Sequence, residues 1–71
     1  MIIKDYNGIK YTWRVKDTDK MIVEVAVYPK DTVEYDEKIK PISQQEFLFK
    51  DKLMTKLSED IFAYLDAVDR N

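Results

Sequence analysis

Lys10, Arg14 and Lys16 occupy even positions of a segment whose odd positions are Ile9, Tyr11, Trp13 and Val15, and Lys20 follows across the next turn. On an extended chain this alternation sets the cations on one face and the apolar residues on the other. A basic sheet face can follow a phosphate backbone. Recognition of single strands also needs aromatic rings on the charged side, where bases can stack. Tyr11 and Trp13 point the opposite way, and only Tyr28 and Ile22 join the cations. A solvated strand face is therefore the preferred reading of Lys10, Arg14, Lys16 and Lys20. Nucleic-acid binding through them is the alternative.

The other reactive groups are scattered. Asp17 and Asp19 flank a turn, and Asp31, Glu34, Asp36 and Glu37 form an acidic cluster. Neither has the ligand order and central glycine of a calcium loop. Ser43 and Ser58 are the only serines, and neither stands in a nucleophile elbow. With no cysteine and no histidine, Cys/His zinc sites and Ser/His/Asp or Cys/His catalysis are excluded. The single glycine, Gly8, leaves no glycine-rich phosphate cradle. The expectation is a protein without catalytic residues, metal or cofactor.

Four segments must position these side chains. Ile9 to Lys16 reads as a half-buried strand. Lys20 to Tyr28 reads as a second, with Met21, Val23, Val25 and Val27 on the core face. Keeping both apolar faces on one side favours the pairs Val15 with Met21, Trp13 with Val23 and Tyr11 with Val25, joined through Asp17-Thr18-Asp19. Asn7-Gly8 is a type I′ hairpin signal, because both residues tolerate positive φ. It makes Met1 to Tyr6 a strand that pairs Tyr6 with Ile9 and Asp5 with Lys10, and leaves Lys4 to snorkel beside Tyr11.

The charged stretch from Pro29 to Pro41 reads as an exposed connection in which Val33 and Tyr35 form at most a short edge strand. Leu53, Met54, Leu57, Ile61, Tyr64, Leu65 and Val68 fall in one helical stripe, with Lys52, Lys56, Glu59, Asp66 and Arg70 opposite. Where this helix begins is contested. Ser43 and Glu46 have capping-box spacing, and good helix formers run from Gln44 to Lys56, which favours a start at Gln44. Read instead as a strand, the segment puts Phe47 and Phe49 on one face and frees Asp51 as N-cap.

These 71 residues form one α+β domain, a three-stranded antiparallel meander packed on one C-terminal amphipathic helix. A fourth strand joins if residues 46–49 are extended. Trp13 should be buried against the helix, so that Trp13→Ala costs about 3 to 5 kcal/mol. With 45% hydrophobic residues, the chain has the composition of a folding domain despite its 37% charged content. A net charge of −2 opposes broad attraction to nucleic acid or anionic lipid. Met1-Ile2-Ile3 runs at once into Lys4-Asp5, so no signal-peptide core or membrane span is read and a cytoplasmic location is expected.

By elimination, the expected role is a non-enzymatic module that binds another protein, in one version a phage or mobile-element product that blocks a host factor. Ile22, Tyr28, Tyr35, Leu48 and Phe49 are apolar residues without an assured place in the core. They are the expected interface to a protein partner or to a second copy in a homodimer.

Overall fold

The computed structural model describes residues 1–50 and 54–69. In chain order the elements are β1 (Lys4–Tyr6), β2 (Ile9–Asp17), β3 (Ile22–Tyr28), β4 (Ser43–Leu48) and α1 (Met54–Asp69). The strands form one antiparallel sheet in the order β1-β2-β3-β4, with α1 against one face. No helix among the described residues is long and apolar enough to cross a membrane.

Asn7-Gly8 closes the first hairpin as expected. Asn7 has φ 51° and Gly8 φ 87°, and Lys4, Asp5 and Tyr6 pair with Tyr11, Lys10 and Ile9.

The second hairpin keeps the expected faces but shifts by two residues. Tyr11 pairs with Val27, Trp13 with Val25 and Val15 with Val23. The expected pairs fail because Met21 is not in the strand. It takes φ 57° in the turn, while an irregularity between Val15 and Asp17 sets Asp17 opposite Ile22. A shift of two leaves every side chain on its original face, so Val23, Val25 and Val27 still enter the core.

The larger correction concerns the helix start. Residues 43–48 are a strand, and Phe47 is buried opposite Val23. Ser43 does not cap a helix. Its hydroxyl meets that of Tyr64 at 2.5 Å, while the Tyr64 ring packs edge-on to Phe47 at 5.8 Å. Local helix propensity is worth tenths of a kcal/mol per residue, and a ladder along β3 with a buried phenylalanine outweighs it. Asp51, Lys52, Leu53 and Arg70, expected in the cap and on the helix faces, lie outside the described residues.

The core joins Ile9, Val23, Val25, Val27 and Phe47 to Leu57 and Leu65 of the helix, with Tyr6, Tyr11, Phe49, Ile61, Tyr64 and Val68 around them. Among the strands, α1 approaches β4 most closely. Trp13, on β2, therefore lies beyond good cover and is 44% exposed, against the expectation of burial.

The outer face is partly covered too. The 29–42 connection returns across it, held by Ile42 N–H donating to the Val27 carbonyl at 2.7 Å, and Thr12, Ala26 and Tyr28 are buried. Val33 and Tyr35 form no strand in this connection. Val33 is 86% exposed, while Tyr35 packs edge-on to Tyr28 at 6.2 Å.

Candidate functional site

The outer-face cations are all engaged by carboxylates. Lys10 Nζ lies 2.8 Å from Asp5, Arg14 Nε 3.3 Å from Glu24, and Lys16 Nζ pairs with Glu46 and lies 3.6 Å from Glu24. The ladder creates these pairs, since Asp5 stands opposite Lys10 and Arg14 opposite Glu24, with Glu46 next in the row. The hydrogen bond from Lys10, followed by that from the Gly8 N–H, holds the Asp5 carboxyl below its usual value. Glu46 raises the Lys16 ammonium above its own. Exposed pairs of this kind add little stability. Three carboxylates facing three cations nevertheless leave the strip near neutrality. Lys20 stands apart from it, in the turn, where its backbone N–H donates to Asp17 Oδ1 at 2.9 Å.

Of the acidic residues from Asp31 to Glu37, Asp36 accepts the Lys38 N–H at 2.9 Å. Among the described residues no three carboxylates are grouped to hold a metal ion.

The five residues expected at an interface do not form one surface. Ile22 and Leu48 are direct partners across β3 and β4 on the outer face, with Leu48 59% exposed. Tyr28 is only 5% exposed, beneath the half-buried Tyr35, which removes it from any open surface. Phe49 turns inward onto the core margin, anchored by its N–H to the Met21 carbonyl at 2.9 Å.

Sequence reasoning placed Trp13 in the core and preferred core packing to a pocket for the aromatic residues, but Tyr11, Trp13 and Phe62 border a second apolar region. Tyr11, Trp13, Leu57, Ser58, Ile61 and Phe62 line a cleft of about 140 Å³ between β2 and α1. Exposed Val15 continues it along β2. On the near side Tyr6 stacks on Phe62, with ring centroids 4.6 Å apart, and its hydroxyl donates to Asp66 at 3.4 Å. Among the described residues no strand pairs with β2 beyond Tyr11 on this edge, because β1 begins only at Lys4. In the alternation set by Tyr6 and Ile9 around the turn, the backbone N–H and C=O of Trp13 and Val15 face this open side.

These tyrosines make stability pH-dependent. Burial raises the Tyr11 phenol above its ordinary 10.0, and burial followed by the Asp66 charge raises that of Tyr6. A group whose folded pKa is raised contributes stability below its unfolded pKa and loses it as pH rises through the folded value. The melting temperature should therefore fall above pH 10.0. The double variant Tyr6→Phe/Tyr11→Phe should show a shallower fall, and an identical fall would refute this assignment.

No protein-family model, curated protein or solved structure matches this chain. What its function rests on is the geometry of this α+β domain.

Proposed function

We propose that this chain is a non-enzymatic protein-binding module that receives an extended segment of its partner along the open edge of β2, with an apolar side chain of that segment in the Trp13 cleft. The observation that carries this reading is the exposure of Trp13 beside unpaired strand backbone. A half-exposed tryptophan in a domain this small forgoes burial that the core would use, and tryptophan is among the residues that dominate interface energies. Strand addition supplies main-chain hydrogen bonds for affinity and a pocket for specificity. A phage or mobile-element product acting on a host factor in the cytoplasm is the biological form this reading takes. The nucleic-acid alternative draws less support, because Lys10, Arg14 and Lys16 would have to leave Asp5, Glu24 and Glu46 to meet phosphates.

A photo-crosslinking residue placed at Val15 in the source cell tests the proposal, with one at exposed Val33 as control. Position 15 should yield one predominant protein adduct absent from position 33. Trp13→Ala should remove that adduct while the domain stays folded. Its stability cost should be about 2 kcal/mol, below the range for a fully buried tryptophan, because much of the side chain is already in water. Identical adducts at both positions, or adducts to nucleic acid, would overturn the reading.

A further inference from the structure

The outer face of the sheet carries an independent proposal. Thr12, Ala26 and Gln44 stand side by side across β2, β3 and β4. The rows that flank them are built from longer side chains, Lys10 with Tyr28 on one side and Arg14 with Glu24 and Glu46 on the other. All of these residues rise from one pleated surface, so the small threonine and alanine leave a trough between the rows. The 29–42 connection walls this trough without filling it. Tyr35, edge-on to Tyr28, and Pro41 border a hollow of about 430 Å³ together with Met1, Thr12, Arg14 and Gln44. Small-molecule sites occupy roughly 300 to 1,000 Å³.

Hydrogen-bonding capacity in the hollow is unbalanced. Glu24 accepts from Arg14 Nε at 3.3 Å through one oxygen and faces Lys16 Nζ at 3.6 Å through the other. Arg14 commits only Nε to that pair, and its two terminal nitrogens meet no acceptor among the described residues. The side chains of Thr12 and Gln44 likewise bond no described residue. Thr12 is only 2% exposed, yet no buried side-chain oxygen or nitrogen among the described residues lacks a partner. Its hydroxyl therefore keeps an opening, and the hollow that Thr12 lines provides it. Polar groups this deep are normally satisfied, so the hydroxyl depends on what enters the hollow. Donors are spare and the carboxylate is spent, which selects an occupant that brings acceptors.

We infer that this hollow binds a small aromatic carboxylate. The ligand's carboxylate takes the free fork of Arg14, a planar match closed by two parallel hydrogen bonds. The Gln44 amide and the Thr12 hydroxyl donate beside it. The ring lies against Tyr35 and Pro41, over Ala26, where aromatic neighbours favour offset or edge-on packing. One small anion uses these nitrogens without parting Arg14 from Glu24, whereas phosphates spaced along a strand would need Lys10 and Lys16 as well. The site lies on the opposite face of the sheet from the Trp13 cleft, so it stands or falls without the segment proposed there.

Titration of the isotope-labelled chain with benzoate, followed by nuclear magnetic resonance, tests this assignment. Saturable shifts should appear at the amides of Thr12, Ala26 and Gln44 and at Arg14 Nε–H, with a dissociation constant on the order of 1 mM for so few atoms. Benzamide keeps the ring without the charge, and cyclohexanecarboxylate keeps the charge without the flat ring. Each should bind several-fold more weakly than benzoate. Arg14→Gln, at a half-exposed site, should weaken benzoate about tenfold or more with the fold intact. Ala26→Leu, which fills the floor of the trough, should abolish the shifts. Lys20→Gln removes a cation in the turn and should leave the affinity unchanged. Absence of saturable shifts in the hollow, equal affinity for benzamide and benzoate, or equal effects of Arg14→Gln and Lys20→Gln would overturn the proposal.

Discussion

Leu65→Ala is expected to remove most of the stability of this domain. Leu65 is 0% exposed and belongs to the cluster that joins the helix to Val23, Val25, Val27 and Phe47. Leucine-to-alanine substitutions at such sites cost about 2 to 5 kcal/mol, the upper end where the cavity cannot collapse. A domain of 71 residues has roughly 4 to 10 kcal/mol in total, at ~0.05 to 0.15 per residue. The loss propagates, because a helix of 16 residues is marginal in water by itself and depends on its docked face. In urea, with a slope of about 1 kcal/mol per M for a protein this small, the midpoint should fall by roughly 2 to 5 M. Val33→Ala, at an exposed site, should leave it almost unchanged. A Leu65→Ala midpoint equal to that of the unmodified protein would mean that the helix is not packed on the sheet.

The same physics explains which parts of the fold were legible in the sequence. Wherever one face of an element is buried, its periodicity survives in the residues. Val23, Val25 and Val27 announce β3, and Leu57, Ile61, Tyr64, Leu65 and Val68 announce the helix. Sidedness, however, constrains register only modulo two, so the shift that pairs Trp13 with Val25 rather than Val23 left no mark in the pattern. Its cause is the positive φ of Met21, a conformation that no glycine or asparagine advertised.

Residues 43–48 were hidden for a different reason. Ser43-Gln44-Gln45-Glu46 carries local helix signals, and only the need of β3 for a second neighbour makes it a strand. The burial of Tyr28 was equally non-local, since it depends on the 29–42 connection folding back. Of the cations read as a solvated strand face, Lys10, Arg14 and Lys16 lie on β2 and Lys20 sits in the turn. The carboxylates that neutralise the strip became visible only with the pairing of β1, β2, β3 and β4. The Trp13 cleft arises where the short β1 and a helix nearest β4 both fall short of β2.

That short first strand makes Gly8 the second position at which one substitution should have a large effect. β1 spans only three residues and is held in register by the turn at Asn7 and Gly8. A Cβ on Gly8 would meet nothing within 4 Å, so any cost of adding one is conformational. At φ 87° an L-residue crowds its own backbone, costing about 1 to 2 kcal/mol for alanine. A β-branched valine, stiff at χ1, should lie nearer ~3 kcal/mol.

The urea midpoints should therefore rank Gly8, then Gly8→Asn, then Gly8→Ala, then Gly8→Val, because asparagine tolerates positive φ better than alanine. The turn also supplies the N–H that Gly8 donates to Asp5 at 3.0 Å. Relieving the strain in the valine variant should loosen β1 from β2 and draw Tyr6 away from Phe62. In spectra of Gly8→Val at low urea, amide protection should fall at Lys4 to Tyr6 and at Ile9 and Tyr11 before it falls at Val23 to Val27. Gly8→Ala and Gly8→Val midpoints equal to that of the unmodified protein would refute a turn that requires positive φ at Gly8.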